Sequence, residues 1–387
     1  MVLFLHNRYR TAGGEERVVE DLAWLVRERL GEPVELLTRS SRELASGRAA
    51  LGLLRGGLDP GAVTQAVHEH GARVVHAHNL LPAFGWRALA AARAAGARVV
   101  LHLHQYRLVC AVGVCFTEGE ECTRCHGRNT LPGVRLNCRG KRPEAAAYAA
   151  SLALWQRRMV GHADAIVVPS EFARERLRAL GAPLLWGRVH VLAPPVRTLE
   201  AGRLPGVAAA QDGGGDPFAL VVSRLAPEKG VELAIDACRA VGLALVIAGD
   251  GPERTRLEAH AAKAHAVRDA AETNVRFVGA VNDDELARLR AVASIALVPS
   301  RSAETFGLAA AEAMAAGLPV VASRVGALSE LVEQDGLVAP GDVAALAAAI
   351  ERRAGDRAAG ARGLQRARAV CAPDVVAQAL AGLYDGA

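Results

Sequence analysis

Short apolar runs rich in β-branched residues alternate along the chain with longer stretches that have the hydrophobic period of a helix. Runs that are apolar throughout and separated by helices are typical of parallel strands buried on both faces. Six runs in the first half fit this description: 2–6, 34–38, 73–78, 98–104, 165–169 and 189–193. Six runs in the second half also fit it: 218–223, 244–248, 275–279, 295–299, 319–323 and 337–339. The pattern predicts an α/β protein built from βαβ units.

The chain has 387 residues, more than one hydrophobic core usually supports, so we expect two domains. A stretch that is rich in glycine and proline and has no strand-like run separates the two series of strands, as a linker does. We predict a Rossmann-like domain at 1–196, a linker at 197–216, a second Rossmann-like domain at 217–365 and a C-terminal helical tail at 366–387. Two doubly wound sheets facing across a cleft would bind ligands at the carboxyl ends of their strands.

The composition excludes several classes of protein. Hydrophobic residues make up 51% of the chain and charged residues 22%, which is unlike a disordered protein. There is no apolar run of about 18 residues to cross a membrane, and no signal-peptide pattern at the start, so we expect a soluble, cytoplasmic protein. Residues 1–195 carry 26 Arg and Lys against 17 Asp and Glu, whereas the remainder is mildly acidic. The two halves should therefore attract different partners.

The first strand of the second half leads into a loop with two cations. Arg224 and Lys229 lie in the segment 223–230, which opens a helix predicted at 231–241. The free N–H groups and the dipole of a helix N-terminus add to such charges and make an anion site. A solvated pair of loop cations is the alternative.

A second loop in this half carries two glutamates eight positions apart. Glu304 follows a strand, and we expect a helix over 305–317. Its first turn would offer three unpaired backbone N–H groups, those of Phe306, Gly307 and Leu308. Glu312 lies on an apolar stripe of that helix, where a carboxylate must find hydrogen-bond donors. A ribose diol would supply them, the backbone donors would hold a phosphate, and Glu304 would meet hydroxyls of another ring.

The Glu-x7-Glu element of this loop resembles that of the retaining glycosyltransferases of family 4, which have the GT-B fold. The segments 248–253 and 277–279 are also similar to the family pattern and stand in the expected order. The resemblance implies a nucleoside-diphosphate sugar as the donor substrate, with Val278 near its base. One departure is Val325-Gly326, where the family usually has two glycines.

The resemblance also implies how the donor is held. Arg224 and Lys229 would bind the diphosphate, and Glu312 would bind the ribose. Glu304 and the backbone donors at 306–308 would bind the transferred sugar and its phosphate.

A pair of glycines follows the first strand of the first half. Gly13 and Gly14 precede a helix predicted at 17–30, and two glycines let the backbone approach a ligand closely. By the resemblance, this loop lies against the donor diphosphate. No Gly-x-Gly-x-x-Gly follows a strand, so the sequence lacks a nicotinamide-binding fingerprint.

Four histidines form two pairs on predicted strands, and the members of each pair share one face of the sheet. The pairs are His76 with His78 and His102 with His104. The segment 103–110 resembles a subgroup of family 4 in which His104 contacts the donor sugar near its anomeric carbon. The segment 75–79 resembles the acceptor-side strand of that subgroup, with His78 and Asn79. The alternative for His78 and for His104 is a structural role in the core, with the hydrogen bonds of the ring satisfied within the protein.

Five cysteines fall within 29 residues, which in a cytosolic protein favours metal binding over disulfides. They lie in an insertion at about 106–142. Cys122 and Cys125 have the spacing of a zinc knuckle, and Cys110 and Cys138 would complete a structural zinc site of four thiolates. Cys115 and His126 compete as ligands. The remaining two cysteines, Cys238 and Cys371, are expected to be small core residues.

Basic residues flank the apolar helix predicted at 144–155, which contains a tryptophan. A solvated basic face is one interpretation. Peripheral contact with anionic lipid, at the inner face of a membrane, is the other.

We predict a retaining transferase that moves a sugar from a nucleoside-diphosphate sugar to an acceptor hydroxyl, with His104, Glu304, Arg224 and Lys229 as catalytic residues. The chain has no Asp-x-Asp motif, so we expect no catalytic metal and no other catalytic cofactor. The acceptor is either lipid-linked, as in polysaccharide or glycolipid synthesis, or a small natural product. A GT-B epimerase or phosphorylase and a non-catalytic zinc- or nucleotide-sugar-binding protein are the alternatives. Nucleic acid is not an expected partner, because aromatic residues make up only 4% of the chain.

Overall fold

The computed structural model describes residues 1–10, 13–200, 216–263 and 274–386. Contacts divide the chain into two compact units, the first comprising 1–117, 121–195 and 373–387 and the second 118–120 and 196–372. Most of the predicted linker, residues 201–215, lies outside the described residues. The predicted domain limits therefore stay predictions.

The first unit contains a six-stranded parallel sheet of order β2-β1-β3-β4-β7-β8. The strands are β1 (Val2–Arg8), β2 (Val34–Ser40), β3 (Val74–Ala77), β4 (Arg98–His102), β7 (Ala165–Val168) and β8 (Val189–Val191). A two-stranded hairpin, β5 (Phe116–Thr117) with β6 (Glu120–Glu121), follows β4 and was not predicted. Central strands such as β1 and β3 are buried on both faces, as their continuous apolar pattern predicts.

Eight helices of the described chain belong to the first unit. They are α1 (Gly14–Arg29), α2 (Ser46–Arg55), α3 (Gly61–His70), α4 (Gly85–Ala94), α5 (Leu131–Arg135), α6 (Arg142–Gly161), α7 (Glu171–Ala179) and α15 (Pro373–Asp385). The final helix, α15, follows the whole second unit in the chain but packs on α1 and β4. The side chain of Arg98 donates to the backbone carbonyl of Leu383, and Tyr384 is buried.

The second unit has a six-stranded parallel sheet of order β11-β10-β9-β12-β13-β14, the order of a Rossmann fold. Its strands are β9 (Phe218–Val222), β10 (Ala244–Ala248), β11 (Val275–Gly279), β12 (Ile295–Val298), β13 (Val320–Ser323) and β14 (Leu337–Val338). Its helices are α8 (Val231–Ala240), α9 (Arg254–Lys263), α10 (Asp283–Val292), α11 (Leu308–Ala315), α12 (Leu328–Leu331), α13 (Val343–Arg353) and α14 (Arg357–Cys371). Cys238 and Cys371 are fully buried, as predicted.

All twelve predicted strands are present, and the α/β fold class with two doubly wound sheets is confirmed. The helix expected from near residue 305 instead begins at Leu308, because Gly307 adopts a left-handed φ of 98° that breaks the helical path. No helix in the described part of the chain is long and apolar enough to cross a membrane.

Candidate active site

The predicted donor-binding residues of the second unit lie on two loops at one place in its sheet. Strands β9 and β12 are neighbours, and the chain runs outward from them in opposite directions. In open α/β sheets, ligands bind at such a switch point, beyond the carboxyl ends of the strands. The loop after β9 carries Arg224 and Lys229, and the loop after β12 carries Glu304. The topology therefore places three predicted residues at the position where this fold binds ligands.

Lys229 and Glu304 form an ion pair between these loops. Lys229 Nζ donates to Glu304 Oε1 at 2.6 Å, and the hydroxyl of Ser300 donates to the same oxygen at 2.7 Å. Burial would raise the pKa of Glu304, but the charge of Lys229 and these two hydrogen bonds outweigh it and hold the pKa below its usual value. Glu304 is thus held in its ionised form beside the amino group of Lys229.

Arg224 is paired as well, with the carboxylate of Glu228. The backbone carbonyl of Glu228 accepts a hydrogen bond from the N–H of Arg301, 2.9 Å away in the other loop. Gly230 closes this turn with a φ of 60°, and a Cβ there would lie 2.3 Å from the carbonyl oxygen of Pro299. A glycine is therefore required for the two loops to lie against each other.

The backbone of Glu304 is held by the loop that contains the departure from the family pattern. Gly326 adopts a φ of 59°, and a Cβ on it would lie 2.3 Å from the carbonyl oxygen of Glu304. The N–H of Ala327 donates to that carbonyl at 2.9 Å. Gly326 is thus the residue that lets this loop approach the backbone of Glu304 closely. Val325, which stands where the family has another glycine, has a buried side chain. Of the predicted backbone donors, Leu308 opens α11, while Phe306 and Gly307 precede it in the loop.

Glu312 finds its hydrogen-bond donor within the protein. Its carboxylate pairs with the guanidinium of Arg290 on α10, and both side chains are buried. The sequence argument required donors for Glu312 but did not identify Arg290. The signal was present, because Arg290 shares the apolar face of α10 with Leu286 and Leu289. The Nε of Arg290 is buried and has no hydrogen-bond partner in the described chain.

Val278, the predicted base contact, is half-buried on β11. It packs against a small apolar cluster that includes Leu220 and Val246. Strand β11 is the edge strand, two positions away from β9. The structure thus places Val278 on the same sheet as the strands that lead into the charged loops.

In the first unit, Gly13 and Gly14 lie at the N-terminus of α1, which begins three residues earlier than predicted. The carboxylate of Glu16 accepts hydrogen bonds from the N–H of Gly13, at 2.9 Å, and from that of Tyr9, at 3.0 Å. Residues 11 and 12 of this loop lie outside the described residues. The carboxylate stabilises the helix start and holds the glycines in a fixed turn.

The two histidines that the sequence proposed separately lie side by side. Nδ1 of His78 is 2.9 Å from Nε2 of His104, and the two rings stack. Desolvation lowers the pKa of His104 to about 3 and that of His78 well below its usual value. Both rings are therefore neutral at physiological pH, and either can donate or accept a hydrogen bond without carrying charge.

Asn79 makes structural hydrogen bonds where β1 and β3 end. Its side-chain amide donates to the carbonyl of Asn7 at 2.6 Å, and the N–H of Asn7 donates to the carbonyl of Asn79 at 2.8 Å. These strands are neighbours at the switch point of the first sheet. Asn79 thus holds the strand ends together beside His78.

Sequence reasoning missed a polar network next to these histidines. The hydroxyl of Tyr9 donates to Glu15 at 2.6 Å, and the amide of Gln105 donates to the same carboxylate at 2.9 Å. The guanidinium of Arg107 lies 4.9 Å from the centre of the Tyr9 ring. Burial raises the pKa of Glu15. An acidic residue directly after a glycine pair at a helix start was the available signal.

The five clustered cysteines line one small cavity of the first unit, together with Phe116, Thr117 and part of α5. Cys115 is among them, but His126 is not, because its ring packs against Gly181. Among the described residues, no three of these sulfur atoms lie within 4.8 Å of one another. Thiolates on one zinc ion lie closer than that. The four-thiolate site at Cys110, Cys122, Cys125 and Cys138 therefore stays a prediction.

Two family models cover most of the chain. The model described as Glycosyl transferase 4-like domain matches residues 12–195, and the model described as Glycosyl transferases group 1 matches residues 209–367. The chain belongs to the group 1 glycosyltransferases.

The curated relatives of the chain include two proteins of Mycobacterium tuberculosis. Glycogen synthase of strain CDC 1551 is 36% identical over 58% of the chain and 55% of the relative. A GDP-mannose-dependent phosphatidylinositol dimannoside mannosyltransferase of strain H37Ra is 35% identical over 46% of the chain and 45% of the relative. The chain thus spans about half the length of the curated relatives it matches.

Solved structures match the glycosyltransferase over nearly its full length. Sucrose-phosphate synthase from Thermosynechococcus elongatus has a TM-score of 0.69 at 20% identity and covers 99% of this chain and 98% of its own. Anabaena HepE in complex with UDP-glucose has a TM-score of 0.63 at 20% identity, covering 100% of this chain and 99% of its own. These likenesses confirm the GT-B fold, with one Rossmann-like sheet in each unit.

Proposed function

We propose that the chain is a retaining glycosyltransferase that moves a sugar from a nucleoside-diphosphate sugar to an acceptor hydroxyl. The observation that carries the proposal is the Lys229–Glu304 ion pair at the switch point of the second sheet. Family membership supports it, as do relatives named as glycogen synthase and GDP-mannose-dependent mannosyltransferase. A solved structure of similar fold, Anabaena HepE, is in complex with UDP-glucose.

The chemistry requires stabilisation of a departing diphosphate. Arg224 and Lys229 now pair with carboxylates, and a diphosphate would take these cations over as it binds. As the bond from the anomeric carbon to the diphosphate oxygen breaks, negative charge grows on that oxygen, and cations already in place stabilise it without reorganisation. Released from Lys229, Glu304 would accept hydrogen bonds from hydroxyls of the transferred sugar.

Retention follows if the acceptor attacks from the face that the diphosphate leaves. The acceptor oxygen forms the new bond to the anomeric carbon, and its proton passes to the departing diphosphate oxygen. This route needs no protein base, which suits His104 and His78, because their lowered pKa values make them weak bases. His104 would offer a neutral hydrogen bond near the anomeric carbon, and His78 with Asn79 would lie on the acceptor side. We expect no catalytic metal, since two fixed cations would supply the positive charge.

Further residues would complete the donor site. Glu312, held by Arg290, would bind the ribose hydroxyls with its remaining lone pairs. The backbone at Phe306, Gly307 and Leu308 would hold the phosphate next to the sugar. Further contacts would come from Val278, toward the base, and from Gly13 and Gly14, toward the diphosphate.

A peripheral membrane contact would bring the enzyme to a lipid-linked acceptor. Helices α2 and α6 pack together, and Trp155 of α6 donates to the backbone carbonyl of Leu54. These two helices expose three leucines, Leu51, Leu54 and Leu154, each at least 41% accessible. Exposed arginines lie on the same helices: Arg48, Arg55, Arg157 and Arg158. Apolar side chains bordered by cations suit an anionic lipid surface.

We also propose that the cysteine cavity holds a structural zinc ion, bound by Cys110, Cys122, Cys125 and Cys138. Four sulfur atoms that line one cavity need only move closer together to form a tetrahedral site. Elemental analysis of protein purified without added metal should find about one zinc per chain. Absence of zinc together with five reactive thiols in this segment would contradict the site.

The function is tested with a panel of nucleotide sugars. A donor should raise the melting temperature of the protein, because ligand binding favours the folded state. Incubation of that donor with candidate acceptors should then give a product whose anomeric configuration, read from its NMR spectrum, matches that of the donor. Donor binding with an inverted product would overturn retention, and binding without transfer to any acceptor would favour a non-catalytic binding protein.

A further inference from the structure

A cluster of buried histidines lies where β3 and β4 end in the first unit. We call His76, His78, His102 and His104 the histidine cluster. His76 is fully buried, and His78 and His102 expose 3% and 2% of their surface. Their rings stack in pairs, His76 on His78 at 4.4 Å and His102 on His104 at 4.1 Å between centres. The proposed transfer reaction uses His78 and His104 but gives no role to His76 and His102.

Three of these rings converge. One nitrogen of each of His76, His78 and His102 lies within 4.8 Å of one nitrogen of each of the others. Nitrogens bound tetrahedrally to one zinc ion at about 2.0–2.1 Å lie about 3.3 Å apart. Nδ1 of His102 is already 3.3 Å from Nε2 of His76. Small rotations of the rings would thus bring the three to ligand distance.

Two ring nitrogens of the cluster have no partner. Nε2 of His78 and Nε2 of His102 are both buried and make no hydrogen bond with the described residues. A buried polar atom left unpaired is unfavourable, so native structures rarely keep one without a reason such as a bound ion or water. These two nitrogens are therefore available as ligands of a metal ion.

The outer nitrogens of two rings are oriented by hydrogen bonds, as in metal sites. Nδ1 of His76 lies 2.7 Å from the hydroxyl of Tyr384, and Nδ1 of His78 lies 2.9 Å from Nε2 of His104. A histidine that binds metal through Nε2 usually directs its Nδ1–H to such a partner, which fixes the tautomer and the ring orientation. With each Nδ1 engaged in this way, Nε2 is the ring nitrogen left to bind a metal ion.

We propose that His76, His78 and His102 bind one divalent first-row transition metal ion of the zinc type. Three imidazole nitrogens without a carboxylate suit zinc, cobalt, nickel or copper and not magnesium or calcium, which prefer oxygen. Three protein ligands leave a fourth position open to water or a small ligand. The ion would tie β3 to β4, and through Tyr384 to α15. Nδ1–H of His78 would then donate a hydrogen bond to Nε2 of His104. Because Nε2 of His104 accepts, the proton of the neutral His104 ring would lie on its Nδ1.

The test is a titration of the full-length chain, freed of metal with a chelator, with Co²⁺ and Zn²⁺ under reducing conditions. Cobalt bound by thiolates shows a charge-transfer band in the near ultraviolet, and cobalt bound by imidazoles does not. This separates the histidine cluster from the cysteine cavity. We expect one ion per chain that adds no thiolate band, beyond any ion that the cysteine cavity binds, and we expect zinc to displace it. His102→Leu should lower its affinity at least tenfold, and Tyr384→Phe should lower it about 10- to 100-fold.

His190→Leu is the matched control, because His190 lies on β8 of the same sheet and outside the cluster. It should bind the ion as the unchanged protein does. The site is overturned if no ion without a thiolate band binds, or if His102→Leu binds it with undiminished affinity. Thermal melting reports whether His102→Leu is folded, and if it is not, Tyr384→Phe decides the question in the same titration.

Discussion

The two units place different kinds of polar groups near the carboxyl ends of their parallel strands. At the switch point of the second sheet, cations and carboxylates pair across two loops, as Lys229 does with Glu304. In the first sheet, the ends of β3 and β4 carry imidazoles that burial keeps neutral, such as His78 and His104. The Rossmann topology fixes where a ligand binds in each unit, and the residues on the loops decide its charge.

This difference between the two units shows how a binding site can be prepared for a charged ligand before the ligand binds. An ion pair holds the cation in place when no ligand is bound, and a diphosphate would exchange with the carboxylate for that cation. Neutral imidazoles offer hydrogen bonds or metal coordination but do not attract an anion. We therefore expect charge-changing substitutions to affect the second unit most, and the first unit to respond to changes in hydrogen-bond geometry.

The largest effect is expected from breaking the buried pair of the second unit. Arg290→Leu should lower the free energy of unfolding by about 3–5 kcal/mol, because it leaves the carboxylate of Glu312 buried without its partner. The double variant Arg290→Leu/Glu312→Leu should recover most of that loss. Arg288→Leu is the control, since Arg288 pairs with Glu285 on the exposed side of the same helix, and it should cost less than about 1 kcal/mol. Urea unfolding measures the stability of all three variants. An equal loss of stability in Arg290→Leu and Arg288→Leu would show that the buried pair stabilises the protein no more than the exposed one.

Removing a cation that is proposed to bind the diphosphate should raise the free energy of the transition state. With an identified donor, Lys229→Ala should lower kcat on the order of 10²- to 10³-fold, more than it raises the donor KM, because its charge matters most as the leaving group departs. Glu312→Gln should instead mainly raise the donor KM, since the ribose is bound equally before and during the reaction. Lys263→Ala, an exposed lysine at the end of α9, serves as the control. Unchanged kinetics in Lys229→Ala would remove the proposed electrostatic role.

A glycine substitution can separate close approach from backbone strain. Gly326 and Gly71 share a left-handed φ near 60°, but a Cβ at Gly71 meets nothing within 4 Å, whereas one at Gly326 collides with the backbone of Glu304. Gly71→Ala should cost about 1–2 kcal/mol from the left-handed conformation alone. Gly326→Ala should cost clearly more and weaken donor binding, because Glu304 must move. Equal melting temperatures of the two variants would mean that the loop yields without disturbing the site.

The smallest effect concerns the proposed lipid surface of the first unit. Arg157→Gln should weaken binding to anionic vesicles by about 1 kcal/mol, roughly fivefold, and the loss should shrink as salt rises. Arg352→Gln, an exposed arginine of the second unit, should leave vesicle binding unchanged. Sedimentation with anionic and with neutral vesicles measures both. Binding that ignores salt and lipid charge would favour a small, neutral acceptor.

The fold followed from the sequence because apolar runs of strand length depend only on neighbouring positions in the chain. All strands of the two sheets were predicted in this way, and so was the grouping of Arg224, Lys229 and Glu304. Pairings across elements could not be predicted, since they depend on helix rotation and strand register. The contact of Arg290 with Glu312 is one example, and that of His76 with Tyr384 is another.

Local conformation set a second limit on prediction. The apolar pattern extended a helix back to residue 305, but a left-handed Gly307 begins it later. The sequence gives the spacing of the five cysteines along the chain but not the distances between their sulfur atoms. Their grouping was therefore predicted, whereas the separation of the sulfur atoms was not. Its hairpin strands are two residues long, which is too short for a hydrophobic period to reveal.

The position of α15 has a consequence for how the protein is made. Its residues follow the entire second unit in the chain, yet Tyr384 is buried against His76 of the first unit. Domains generally fold as they leave the ribosome, the N-terminal one first. Here the first unit to emerge waits for residues synthesised after the second, so His76 and the part of β4 that α15 covers stay uncovered until α15 is made. The first unit is therefore the first to be synthesised but the last to have all of its residues available for folding.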